Sequence, residues 1–176
     1  MNLLHDISIG KDSPEIINVI IEINKGSKNK YEIDKETGLI ALDRAMHSAQ
    51  DYPFDYGFAP QTHWDDNDPL DVVLLTTYPL VPGVLVKARP VAVMHMTDDG
   101  DNDEKIIAVP KDDPRWEGVK DISDINPHTL KEVEHFFSTY KNLQNKEVKV
   151  SGFEGAEAAK EAILKAQKMY KEKFGR

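Results

Sequence analysis

Cysteine is absent from the sequence, which excludes disulfides, thiolate metal centres and cysteine nucleophiles and is compatible with a reducing compartment. No apolar run approaches the length of a membrane span. The first residues, Met1-Asn2-Leu3-Leu4-His5-Asp6, lack the basic start and apolar stretch of a secretory leader. These features predict a cytoplasmic protein without a membrane partner. Basic residues are in deficit, with 22 Lys and Arg against 31 Asp and Glu and a formal net charge of -9. That balance disfavours a nucleic-acid surface, which would need a segregated basic groove. Repeats, low-complexity segments and an interdomain linker are missing too. At 176 residues, 40% hydrophobic and 30% charged, the chain fits one soluble globular domain over 1–176.

What the sequence does have is acid, locally concentrated. Asp65-Asp66-Asn67-Asp68-Pro69-Leu70-Asp71 crowds aspartates around a stiffening proline. At about 4 Å and an effective dielectric near 20, one uncompensated carboxylate pair costs about 4 kcal/mol, so a cation is expected there. A second acidic loop, Asp98-Asp99-Gly100-Asp101-Asn102-Asp103-Glu104, precedes Lys105. Each loop abuts a short apolar strand, Val72–Leu75 or Ile106–Val109, which raises the prospect that the two face each other. An EF-hand needs glycine at its sixth position and glutamate at its twelfth. Counting from Asp66 these are Asp71 and Thr77, and from Asp99 they are Glu104 and Pro110, so that motif is excluded. Zinc is disfavoured because no histidine lies at ligand spacing beside the acids. His128 and His135, seven apart, read as a packed or interface face of a helix.

Along the chain, Ile16–Ile23 reads as a mostly buried strand; Glu22 near its end is either solvent-facing or part of a site. Lys30–Asp34 and Leu39–Arg44 form a hairpin around Gly38, with Lys30 and Glu32 on one face. Residues 45–64 carry an aromatic stretch, Tyr52 to Pro60, that suits a structured loop or short strand. Its tyrosines serve either the core or a polar ligand. Val84–Met96 reads as a long strand interrupted at Pro90, where proline cannot donate to a ladder. Residues 110–126 show no usable pattern. Asn126 caps a helix with Pro127 at its first position, and Leu130, Val133, Phe136, Phe137 and Tyr140 carry it to about Lys141. A short strand, Glu147–Val150, precedes a last helix over about 154–174, whose face of Ala159, Ile163, Ala166, Tyr170 and Phe174 should pack on the body. Five to seven mostly antiparallel strands and two amphipathic helices predict an α+β protein with a small β-barrel core.

The acids call for a hard divalent ion with oxygen ligands, and magnesium is the default where phosphate is the substrate. Phosphate ligands are present as well: Lys30, Arg44, Lys105 and Lys141, with Tyr56 and Tyr140 as donors. Each alone is an ordinary solvated or packed residue. Glu22, Lys30, Glu32, Arg44, Asp103 and Lys105 fall at the ends of the elements that carry the acids, and are expected to line one mouth of the barrel.

Asp66-Asn67-Asp68-Pro69-Leu70-Asp71-Val72 resembles the signature D-[SGDN]-D-[PE]-[LIVMF]-D-[LIVMGAC] of the family I soluble inorganic pyrophosphatases. Matching segments lie in register around it: Lys30–Asp34, Asp43-Arg44, Tyr52-Pro53 with Tyr56-Gly57, Arg89–Val91, Met96–Asp99, Val109-Pro110, and His135–Phe137 with Tyr140-Lys141. The likeness runs from about Ile16 to Ala166 and departs at no functional position. It implies a five-stranded OB-like β-barrel core with two main helices packed outside. It also implies hydrolysis of pyrophosphate to two orthophosphates with several Mg2+ ions per active site, in a homo-oligomer, a hexamer, with the helix bearing His128 and His135 at an interface. By the family pattern Asp66, Asp71 and Asp103 hold the first activating metal, and Asp71 helps hold a second. Asp68 is the general base toward the water or hydroxide bridging them. Asp98, Asp103, Glu22 and, through water, Glu32 serve the metals that arrive with substrate. Lys30, Arg44, Tyr56, Lys105, Tyr140 and Lys141 bind phosphate, and Asp68, Tyr56, Arg44 and Lys30 form the catalytic set. Asp65 is left with no role beyond its charge. Two rivals fit less: a non-catalytic acidic metal-binding module leaves Lys30, Arg44 and Lys141 unexplained, and an OB-type nucleic-acid binder conflicts with the net charge.

Overall fold

The computed structural model describes residues 1–175. Its strands are β1 (Ile17–Ile23), β2 (Asn29–Ile33), β3 (Ile40–Ala45), β4 (Asp55–Phe58), β5 (Asp71–Leu74), β6 (Leu85–Asp98), β7 (Asp101–Asn102), β8 (Lys105–Pro110) and β9 (Val148–Gly155); the helices are α1 (Pro127–Thr139) and α2 (Ala156–Phe174). Strands pair in the order β1-β4-β5-β8-β6, and β6 returns to β1 to close a ring of five. This is the OB-like barrel. Outside the ring, β9 lies along β6 and the short β7 folds back on it, while β2 and β3 form a separate two-stranded hairpin. Pairing is antiparallel except between β5 and β8, which run parallel with Asp71 opposite Lys105.

Residues 19–21, 72–74, 91–94 and 106–109 are unbroken apolar runs because both faces of the strands are covered there. Val73, Ile107, Met94 and Met96 point into a cluster completed by Val133, Phe136 and Phe137 of α1. Their neighbours Val72, Leu74, Ile106, Ala108 and Val93 point the other way, to Ala159, Ile163 and Ala166 of α2. Asn126 caps α1 as expected, its side-chain oxygen accepting from His128 N–H with Pro127 at the first turn. β6 is irregular between Pro90 and Ala92.

Several readings need correction. Residues 110–126 are ordered into two short 3-10 turns, Pro114–Trp116 and Ile122–Asp124. Asp121 there accepts the backbone N–H of Ala156 at 2.7 Å, supplying the cap that Gly155 cannot. The strand begun at Glu147 runs from Val148 to Gly155. Phe174 stays partly exposed, packing edge-on against the His5 ring and tilted against Tyr170. Asp55, which the sequence does not single out, is fully buried. It accepts the N–H groups of Lys25 and Leu80 and the hydroxyl of Thr76, so one carboxylate binds three segments together.

Gly57 on β4 faces Ile21 of β1 at the point where that pairing shifts register. A Cβ at this position would sit 1.9 Å from the Ile20 carbonyl oxygen, and backbone cannot yield as a side-chain tip can. Gly57→Ala is therefore expected to destabilise the fold by about 3 kcal/mol or more, at or above the upper end of overpacking costs. Urea unfolding checks it, and a loss below about 1 kcal/mol would contradict this account of the barrel seam.

Candidate active site

One end of the barrel opens into a cavity of about 650 Å³. Its wall carries eleven carboxylates and four lysines. The hairpin β2–β3 forms one side, and the 65–71 segment and the β6–β8 connection form others. Glu22, Lys30, Glu32, Tyr56, Asp66, Asp68, Asp71, Asp98, Asp103, Lys105, Tyr140 and Lys141 all meet here, so the two acidic loops do face a common space. Arg44 is the one expected site residue outside that wall. It lies opposite Lys30 in the hairpin and donates to Asp43, which does line the cavity. Lys35, Asp43 and Asp101 join the wall without having been expected.

The centre of the site is a buried triad. Lys105 Nζ donates to Asp71 Oδ2 at 2.6 Å and to Asp103 Oδ1 at 2.5 Å, and the Tyr56 hydroxyl donates to the same Asp71 oxygen at 2.6 Å. Burial opposes the Lys105 charge, but Asp71 and Asp103 outweigh it and hold its pKa well above the usual lysine value. Tyr56 is pushed well above the usual phenol range by burial and by Asp71, so it remains a hydrogen-bond donor. Beneath them, the rings of Tyr52, Phe54, Tyr56, Phe136, Phe137 and Tyr140 pack in tilted and edge-to-face contacts as an aromatic floor that fixes the phenols of Tyr56 and Tyr140.

Around the triad each lysine is matched to acid. Lys141 pairs with Asp98, Lys30 with Glu32 and Asp43, and Lys35 with Asp68. Glu22 is buried rather than solvent-facing, and its Oε1 accepts the Ile33 N–H at 2.7 Å, tying the hairpin to β1. Asp66 Oδ1 accepts the Asp68 N–H at 3.0 Å, and between them Asn67 adopts a left-handed φ of 70°. Asp65 turns away to pair with Lys165 of α2 at 3.2 Å, a contact across the fold that gives it a structural role.

Lysine charge does not neutralise this acid. Burial, reinforced by Asp71, raises the Glu22 pKa to about 8. Burial raises Asp66 to about 7, with Asp71 and Asp103 adding to it, and raises Asp71 despite the opposing charge of Lys105. Among the described residues no three carboxylate or histidine side chains converge on a single ion-sized point; the Lys105 ammonium lies between Asp71 and Asp103. The donors are nonetheless all oxygen, closely spaced and short of positive charge, which suits a hard divalent ion. Asp66, Asp71 and Asp103, with Glu22, Glu32 and Asp98 beside them, are the side chains that could hold such ions.

Comparison with known proteins agrees with this geometry. Residues 19–171 match the family model for Inorganic pyrophosphatase. The inorganic pyrophosphatase of Haloferax volcanii is 48% identical over 175 residues, 99% of each chain. The soluble inorganic pyrophosphatase of Zea mays is 49% identical over 166 residues, 94% of this chain and 78% of that protein. The crystal structure of the Thermus thermophilus inorganic pyrophosphatase aligns with a TM-score of 0.93 at 42% identity, over 97% of this chain and 99% of that one. A match of this extent in both sequence and backbone means that the chain belongs to the inorganic pyrophosphatase family.

Proposed function

We propose that the chain hydrolyses pyrophosphate to two orthophosphates with several Mg2+ ions per site and with Asp68 as general base. The observation that carries this reading is a cavity in which carboxylates outnumber lysines while the buried Lys105 and the phenols of Tyr56 and Tyr140 stand among them. A highly anionic substrate needs both sets: cations and donors for its phosphates, and carboxylates for the metals that accompany it. Asp66, Asp71 and Asp103 would hold the first ion, with Asp71 shared by a second. Asp98, Asp103, Glu22 and Glu32 would serve the ions that enter with substrate. When bound, divalent ions supply charge neutralisation and make a water acidic enough to lose a proton near neutral pH.

The chain's own residues do the rest. Lys30, Lys105, Lys141, Tyr56 and Tyr140, with Arg44 behind Lys30, bind and orient the phosphates, and the aromatic floor keeps water from reaching them from below. Asp68 is half-exposed, and among the described residues Lys35 is its one ion-pair partner. It is thus the acid of the 65–71 segment least committed to the fold, and the one free to take up a proton. We further propose a cytoplasmic homo-oligomer, a hexamer, that binds neither nucleic acid nor membrane. No helix is long and apolar enough to cross a membrane among the described residues, and the α1 surface with His128 and His135 is exposed on the single chain.

Phosphate release from pyrophosphate, with magnesium and with a chelator, tests the activity. In that assay Asp68→Asn should lower kcat by about 10²- to 10⁴-fold while calorimetric magnesium binding persists; wild-type turnover would remove Asp68 from the mechanism. A second outcome follows from proton linkage. Glu22 and Asp66 keep protons in the metal-free fold that the unfolded chain releases, so metal-free stability falls as pH rises from their ordinary values through about 7 and 8. Binding of a divalent ion releases those protons. Calorimetric melting should therefore show magnesium raising Tm more at about pH 8 than at about pH 6, and a pH-independent increment would contradict these carboxylates as ligands. Sedimentation velocity tests the assembly, since a species at the 19.9 kDa of one chain would rule out the oligomer.

A further inference from the structure

Three of the four lysines on the cavity wall are fixed. Lys105 lies between Asp71 and Asp103 with its side chain 3% exposed, Lys141 against Asp98 at 13%, and Lys30 between Glu32 and Asp43 at 15%. Lys35 is different. Its side chain is 53% exposed and its carboxylate partner, Asp68, is 52% exposed; its other contact is a 3.0 Å hydrogen bond to the Asn67 carbonyl oxygen. Ion pairs between groups this exposed contribute little to stability. Lys35 therefore leaves Asp68 for another anion at small cost, whereas Lys105 would abandon two carboxylates in a buried site.

The backbone under Lys35 is rigid, so the freedom is confined to its side chain. Asp34 Oδ1 accepts both the N–H and the hydroxyl of Thr37, at 2.6 and 2.7 Å, and the Gly38 N–H closes the turn onto the Asp34 carbonyl at 2.7 Å. Gly38 adopts a φ of +74° and fits against Asn2 so closely that a Cβ would lie 2.7 Å from the Asn2 Cα. The tip is thereby aimed across the cavity. Among the lining lysines, Lys35 is the one that reaches the wall made by Asp66–Asp68.

Resting on the pyrophosphatase reading of the site, we infer that Lys35 is a further substrate-binding residue, passing from Asp68 to a phosphoryl oxygen of pyrophosphate as it enters. Charge-assisted bonds to phosphate are stronger than a half-solvated surface pair. The exchange adds a cation on the wall otherwise made of acid, and it leaves Asp68 without its partner only once substrate is present.

The test compares wild-type chain with Lys35→Gln and Lys35→Arg, by steady-state phosphate release at saturating magnesium and by calorimetric binding of methylenediphosphonate, a non-hydrolysable pyrophosphate analogue. Lys35→Gln should raise KM and weaken analogue binding by the same factor, about five- to tenfold, with kcat changed less than about twofold, the signature of lost uniform binding. Lys35→Arg should restore most of both, and the deficit of Lys35→Gln should shrink at high ionic strength. Analogue affinity within about twofold of wild type in Lys35→Gln, or a loss confined to kcat, overturns the inference. Failure of the wild-type chain itself to release phosphate overturns instead the functional reading on which it rests.

Discussion

The contact of Lys105 with Asp71 and Asp103 is the constraint that the rest of the site depends on. Removing three charges from water costs several kcal/mol per ion unless each finds a partner at close range, and here the ammonium satisfies two carboxylates at 2.6 and 2.5 Å. That arrangement requires the parallel register of β5 on β8, with Asp71 opposite Lys105. A slip of one residue would turn Lys105 to the other face of its strand and strand both acids. Tyr56 extends the constraint to β4 through Asp71. The N–H of Asp103 donates to the Met96 carbonyl at 3.0 Å, extending it to β6. One lysine thus helps fix the relative register of four barrel strands at the end where the cavity opens.

The same end of the barrel is left electrostatically incomplete. Glu22, Asp66 and Asp71 all hold their protons more tightly than usual, because burial disfavours their charge and neighbouring carboxylates add to the effect. A fold that needed only stability would place apolar residues there. The barrel tolerates the deficit because apolar clusters pack both faces of its strands, under α1 and under α2. Stability is concentrated in those layers, and the unmet negative charge is confined to a region where an incoming cation relieves it.

How much of this was legible in the sequence varied with the range of the interaction. Strands and helices were readable because their apolar spacing is local, and the Asn126-Pro127 start of α1 is written in two adjacent residues. The apolar strand beside each acidic loop raises the prospect that the two loops meet. The parallel pairing that brings them together was not legible, since the long β6 intervenes and nothing local marks a parallel neighbour. Asp65 finds its partner a hundred residues away, on α2. Asp55 and Lys35 are ordinary residue types in turn-rich segments, and only the fold buries one and aims the other. Arg44 shows the converse limit: its position in the hairpin was clear, yet strand alternation cannot say that its guanidinium is taken up by the neighbouring Asp43.

The 65–71 segment is held unequally on its two sides, and this bears on how the site can change without coming apart. From behind, α2 grips it at several points: the His63 N–H donates to the Ala166 carbonyl, Lys165 pairs with Asp65 and covers the Trp64 ring, and Lys173 donates to the Asn67 side chain. The Trp64 indole also donates to Glu104 at 2.5 Å, joining this segment to the residue between Asp103 and Lys105. From the cavity side Lys105 holds Asp71 at the end of the segment, and Lys35 alone of the lining lysines reaches its Asp66–Asp68 turn. Loss of that one contact leaves every tether to α2 in place. Asp66 and Asp68 therefore keep their positions while the lysine facing them exchanges partners, and the strained backbone at Asn67 does not have to relax each time the cavity fills.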